Sequence, residues 1–248
     1  MDARYKPIPP IQSPTDWASI SIYENNEPLV GIRSLNSPKL LVNSMYFLEN
    51  IPGSLKDCYV REEVVERLIR AAALLPDQYS LLIWDGYRPY KVQNFLYTSF
   101  YEKKKNEFPD FNDSQLESLV KKYVSLPSIR EFAPSPHLTG GSVDLTIAGS
   151  DGNPIEMGTE FDDFSEKAST RFFENLALSK TLHPKEQQAL ENRRLLYWIM
   201  RESGFTSYVH EWWHFDYGNQ WHGELSGTGH AKYGVAPAPK ISFQDPGK

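Results

Sequence analysis

An aspartate stands in the middle of the apolar run Val143-Asp-Leu-Thr-Ile147. Such a run reads as a buried strand. An ionised carboxylate there is costly to bury without a cation or several hydrogen-bond donors, so the fold must bring compensation to Asp144. Seven residues upstream, in the loop Ser135-Pro-His-Leu-Thr-Gly-Gly141, lies His137. A second aromatic, strand-like segment carries Glu211-Trp-Trp-His214. A carboxylate and two imidazoles make a three-ligand catalytic zinc site with a fourth position open to water. His137, Asp144 and His214 can supply that set from two neighbouring strands and their loop, leaving Glu211 as the base that takes a proton from water. Residues three apart in an extended strand face opposite ways. A bend or bulge must therefore redirect either Glu211 or His214. The plainer alternatives are a hydrogen-bonded core histidine and an Asp144 that caps a turn or pairs with an arginine.

The rest of the composition removes competing chemistries. The single cysteine, Cys58, excludes an intrachain disulfide and a Cys-based metal cage, and reads as a plain buried thiol. Lys plus Arg total 26 against 32 Asp plus Glu, a formal charge of −6. With only the short Lys103-Lys104-Lys105 run, read as a solvated helix face, a nucleic-acid partner is not expected. At 40% hydrophobic and 13% aromatic the chain is globular rather than disordered. No window has the length of a membrane span, and the N-terminus lacks a signal-peptide-like apolar stretch, so a cytoplasmic location is expected.

The 248 residues are read as one domain, with an irregular Pro-rich arm over 1–20 and a surface tail over 223–248. Apolar spacing predicts helices over 61–75, from Pro89 to 105, over 113–125, around 170–179 and over 186–203. Strands are expected within 29–47 and over 79–84, 143–147, 205–209 and 212–217. Helices first, with a small polar-bearing sheet later, give an α+β class: a small antiparallel sheet carrying the metal site, packed against several helices.

WDGYRP (84–89), SPHLTGGSVDLT (135–146), MGTEFD (157–162), NRRLLYWIMRESGF (192–205) and EWWHFDY (211–217) together resemble the D-alanyl-D-alanine dipeptidases of the VanX type. These are zinc metallopeptidases related to D,D-carboxypeptidases and to the sonic hedgehog signalling domain. The His-x6-Asp and Glu-x-x-His pieces belong to the wider superfamily, whereas WDGYRP, MGTxFD and EWWH are specific to the dipeptidase branch. The resemblance implies one Zn2+ on His137, Asp144 and His214, with Glu211 as catalytic base. It implies that Arg88 stabilises the oxyanion, that Asp162 grips the substrate's ammonium group, and that Ser135 lines the same pocket. The expected partner is a small D-amino-acid dipeptide; the oligomeric state is not read.

Two departures bear on the substrate rather than the reaction. Leu-Thr-Gly-Gly replaces a loop that in the family has a basic residue before its glycine. Leu41-Val-Asn-Ser-Met-Tyr-Phe47 stands where the family has Tyr-Ala-Thr-x-x-Asn-Phe. Two alternatives stay open beside the dipeptidase reading. One is a murein-peptide D,D-carboxypeptidase or endopeptidase with the same metal site; the other is a metal-bearing binding module without turnover.

Overall fold

Five strands gathered from along the chain form the sheet that buries Asp144. This computed structural model describes residues 3–121 and 123–239. The strands are β1 (Leu40–Val42), β2 (Ser80–Asp85), β3 (Ser142–Ala148), β4 (Thr206–Ser207) and β5 (His214–Asp216). Their spatial order is β1-β2-β3-β5-β4. The α+β class holds, and the sheet is antiparallel except at its edge, where β1 runs parallel to β2. The expectation of helices first and sheet later does not hold, because the strands are interleaved with the helices.

Strand alternation turns Val143, Leu145 and Ile147 of β3 to one face and Asp144 and Thr146 to the other. The apolar face joins one large cluster with α1 (Glu62–Ala73) and α5 (Pro184–Glu202). Helix α1 forms because Val64, Val65, Leu68, Ala71 and Ala72 recur on one face, and all five are buried. Each such side chain contributes about 1.5–3 kcal/mol on full burial for the Val and Leu class. Ile69, expected among the core positions, is 48% exposed, because it falls on the outer side of this stripe. Leu195, Leu196, Ile199 and Met200 of α5 are buried as the spacing predicts.

Helix α2 (Tyr90–Glu107) starts after Pro89, and α3 (Asp113–Val120) starts from an Asn112–Gln115 capping box. The latter stops five residues short of the expected end. Helix α4 (Phe172–Ser179) matches expectation, and a short α6 (Gln220–Leu225) follows β5.

The N-terminal arm is irregular but pinned. Ile8 is 1% exposed, its N–H donates to Glu174, and the Lys6 carbonyl accepts from the Trp198 indole. The expected surface tail is corrected more strongly. Residues 220–225 form α6, His230–Ala231 pair in parallel with Ser21–Ile22, and Tyr233 and Ala236 are buried. Gly and Ala in this stretch allow close packing where absent periodicity suggested fraying. Residues 240–248 of that tail lie outside the described residues.

Candidate metal centre and substrate cavity

The strand register assembles the centre. Across β3 and β5, Asp144 sits directly opposite His214. On the other side, β2 pairs with β3 regularly up to Ile83 opposite Leu145, and then Asp85 comes opposite Asp144. Trp84 is the extra residue of a β-bulge, a device that redirects side chains beside functional sites. His137 arrives on the one-turn helix Pro136–Thr139, which ends at Gly140 in the left-handed region (φ 71°). A Cβ there would come within 2.4 Å of Leu29.

His137 Nε2 is 3.2 Å from His214 Nδ1 and 3.3 Å from Asp144 Oδ2, and His214 Nδ1 is 3.0 Å from Asp144 Oδ1. Ligand atoms on a tetrahedral ion at ~2.0–2.1 Å stand about 3.3 Å apart. The three groups therefore fit one divalent ion, and they form the metal-ligand cluster found among the described residues. The outward ring nitrogens are also held. His137 Nδ1 lies 2.8 Å from the Gly86 carbonyl, and His214 Nε2 lies 3.0 Å from Asp216 Oδ2. Such partners fix tautomer and ring orientation at metal sites.

Burial opposes ionisation of Asp144, but His137 and His214 hold its pKa well below the usual carboxylate range. Burial opposes protonation of His214, yet Asp216 and Asp144 raise its pKa well above the ordinary imidazole value.

Glu211 lies in the turn before β5, with Oε2 at 4.0 Å from His214 Nδ1. This is the bend that the three-residue spacing demanded. The turn is fixed by the Trp212 N–H on the Ala168 carbonyl and the Leu145 N–H on the Trp213 carbonyl. Burial pushes the Glu211 carboxyl up to about 8, against the pull of His214. The neighbouring His210 is exposed.

All three nitrogens of Arg88 are engaged. Nε donates to Asp85 at 2.7 Å, Nη1 to Gln93 at 2.8 Å and Nη2 to Asp144 at 3.0 Å. Arg88 thus lies between two carboxylates that would otherwise repel each other across the bulge. Asp144 thus pairs with an arginine as well as with the two histidines. Its guanidinium also stands 4.8 Å from the centroid of the Tyr46 ring, whose hydroxyl donates to Asp162 Oδ2 at 3.1 Å.

Asp162 has φ 55°, a left-handed conformation that aspartate and asparagine tolerate better than most residues. Burial raises its pKa to about 7, against the pull of Arg88. The loop that carries it is clamped by buried Arg193, which donates to the carbonyls of Met157, Lys167 and Ser169.

His137, Asp144, His214, Glu211, Arg88 and Asp162 line one cavity of about 320 Å³. Ser135 does not line it, contrary to expectation. Its Oγ accepts from the Ser128 N–H and donates to the Leu126 carbonyl, so the hydroxyl is spent holding a neighbouring hairpin. Asp85, Gln93, Asp216 and Tyr46 were missed in the sequence. Asp85 read only as a turn residue, and the one available signal for Asp216 was its place two residues from His214 on the same strand face. Cys58 is buried, as its plain reading expects.

A family model described as D-ala-D-ala dipeptidase (Peptidase_M15) matches residues 48–228. A D-alanyl-D-alanine dipeptidase of Synechocystis sp. is 29% identical over 216 residues, covering 82% of this chain and 87% of that protein. One from Enterococcus faecalis is 35% identical over 156 residues, covering 60% and 66% respectively. A solved vancomycin-resistance D,D-pentapeptidase in complex with Zn(II) aligns over 87% of this chain and 96% of its own, at 14% identity and a TM-score of 0.40. That likeness is too slight to build on.

Proposed function

Because the chain belongs to the D-ala-D-ala dipeptidase (Peptidase_M15) family, we propose that it hydrolyses D-alanyl-D-alanine or a closely related free dipeptide, releasing D-alanine. The proposed cofactor is one zinc ion on His137, Asp144 and His214. The observation that carries this reading is the spacing of those three ligands, with Glu211 beside them on the cavity side at 4.0 Å from His214. A bound divalent ion supplies Lewis acidity, acidifying water and polarising the scissile carbonyl.

The remaining work falls to the chain's own groups. Glu211 takes one proton from the attacking water and delivers it to the leaving amine, so that the elements of water are divided between the two products. Arg88, fixed by three hydrogen bonds, places positive charge beside the carbonyl oxygen, where charge develops only as the tetrahedral state forms. Asp162 pairs with the substrate ammonium group, and Tyr46 holds the Asp162 carboxylate. Ser135 has no direct part, since its hydroxyl faces the backbone of 126–128.

Size supports a small substrate. A 150 Å³ cavity holds a benzene ring, so about 320 Å³ is on the scale of a free dipeptide rather than of a longer murein peptide. The test is release of D-alanine from D-Ala-D-Ala by metal-replete protein, beside N-acetyl-D-Ala-D-Ala and L-Ala-L-Ala. Hydrolysis of the free D,D-dipeptide alone, abolished by a chelator, is expected. Preference for the N-acetylated form or for murein peptides would overturn the reading in favour of a carboxypeptidase.

A further inference from the structure

The cavity extends well beyond the candidate metal ligands, and an apolar wall lines it between them and Lys103. Gln93, Leu96, Phe100 and Lys103 line it from a single stripe of α2, at the spacing that places residues on one helix face. Ten residues separate Gln93, beside Arg88, from Lys103 at the outer end, which is about 15 Å of helix at ~1.5 Å per residue. The backbone of an extended dipeptide covers only about 7 Å. The rest of the length is walled by rings: Phe164 packs on Phe100 with centroids 4.4 Å apart and on Tyr123 at 6.0 Å. Leu96, Tyr123 and Phe164 are only partly buried, so this wall keeps surface to offer a ligand.

The position of Asp162 orients the substrate along this length. Asp162 and Phe164 are two residues apart in the same loop, and both line the cavity. A substrate held by its ammonium group at Asp162 has its first residue beside Phe164, with the scissile carbonyl towards Glu211 and Arg88. The second residue then lies on the side away from the rings.

We propose that this enzyme selects free D,D-dipeptides whose N-terminal residue carries a large apolar side chain, seated against Leu96, Phe100, Tyr123 and Phe164. This rests on the dipeptidase reading and on Asp162 as the ammonium anchor. An alanine methyl leaves the wall wet, whereas a leucine side chain covers it at about fourfold per buried methylene.

The experiment compares kcat/KM of the zinc-loaded full chain on D-Ala-D-Ala, D-Leu-D-Ala and D-Ala-D-Leu. The expected result is D-Leu-D-Ala favoured over D-Ala-D-Ala by ten- to sixtyfold, with no comparable gain for D-Ala-D-Leu. Ser99→Trp, on the exposed side of α2 at the cavity edge, fills the apolar end without removing a core contact. It should lower kcat/KM for D-Leu-D-Ala at least tenfold more than for D-Ala-D-Ala. Turnover of D-Ala-D-Ala with weaker or equal turnover of D-Leu-D-Ala overturns this inference and leaves the dipeptidase reading standing. A gain confined to D-Ala-D-Leu overturns the N-terminal assignment. Failure to cleave any of the three overturns the dipeptidase reading, and the inference falls with it.

Discussion

Asp162→Asn separates what the Asp162 charge costs the fold from what it gives the substrate. Asparagine keeps the side-chain shape and is at ease at φ 55°, so the substitution changes charge and little else. In the metal-free protein the carboxyl is raised from 3.8 to about 7, chiefly by burial and against Arg88. Below pH 4 folded and unfolded chains both carry the proton, and the group does not affect stability. Between pH 4 and 7 the unfolded chain ionises first, so stability falls as pH rises. Above pH 7 the whole penalty is present. A gap from 3.8 to about 7 corresponds to about 4 kcal/mol. The group is only partly buried, and solvent screening reduces this to about 2 kcal/mol, or roughly 4–8 °C in Tm for a chain of this size.

Chelator-treated Asp162→Asn should therefore melt close to the parent at pH 3.5 and several degrees higher at pH 8.5. Substrate binding moves the other way. It is best measured by calorimetry in the Glu211→Gln background, which removes both turnover and the second raised carboxyl. With Asp162 present, D-Ala-D-Ala affinity should fall as the pH is lowered and the carboxylate is lost; in the Asp162→Asn variant, affinity should be low and flat. A Tm difference independent of pH, or unchanged dipeptide affinity in that variant, would refute the account of Asp162 as a strained, partly buried ammonium anchor.

Other residues make sharper, simpler tests. Glu211→Gln should keep the zinc, read by metal analysis, and lose about 10²–10⁴ in kcat, the range for one proton-transfer group. Asp216→Asn removes the negative charge that backs the outer nitrogen of His214 and should weaken zinc affinity about 10–100-fold in a competition titration. Arg193→Met removes three hydrogen bonds from the Asp162 loop; KM for the dipeptide should rise while bound zinc per chain stays the same. Zinc removal should lower Tm, and readdition should restore it with release of protons, because Asp216 and Asp144 keep His214 protonated without metal.

The candidate metal ligands were legible because buried charge leaves a local mark. Asp144 interrupts an apolar strand, and two histidines in unusual company lie within reach of it. Helices α1 and α5 were legible from period alone. The supporting groups were not, since each depends on distant register. Asp85 joins the site only through the bulge at Trp84, and Tyr46 only through the turn that brings Asp162 under its hydroxyl. Ser135 shows the opposite failure, a residue two positions from a candidate ligand whose hydroxyl is taken up by the backbone of 126–128. The tail misled because an apolar stretch of Gly, Ala and Tyr has no repeat to announce that it is buried.

The pairing of Ser21–Ile22 with His230–Ala231 ties distant parts of the described chain together, and the junction packs beside α6. Trp221 of α6 lines that cavity. Its outer ring is backed by Trp17, with centroids 6.3 Å apart, while Glu224 accepts the N–H groups of Thr15 and Asp16. The Gln220 amide is anchored on the Ile20 carbonyl in the same way. A protease cut or a bulky fusion near residue 17 is therefore a change to the wall of the candidate cavity, and should register in turnover before it registers in overall unfolding.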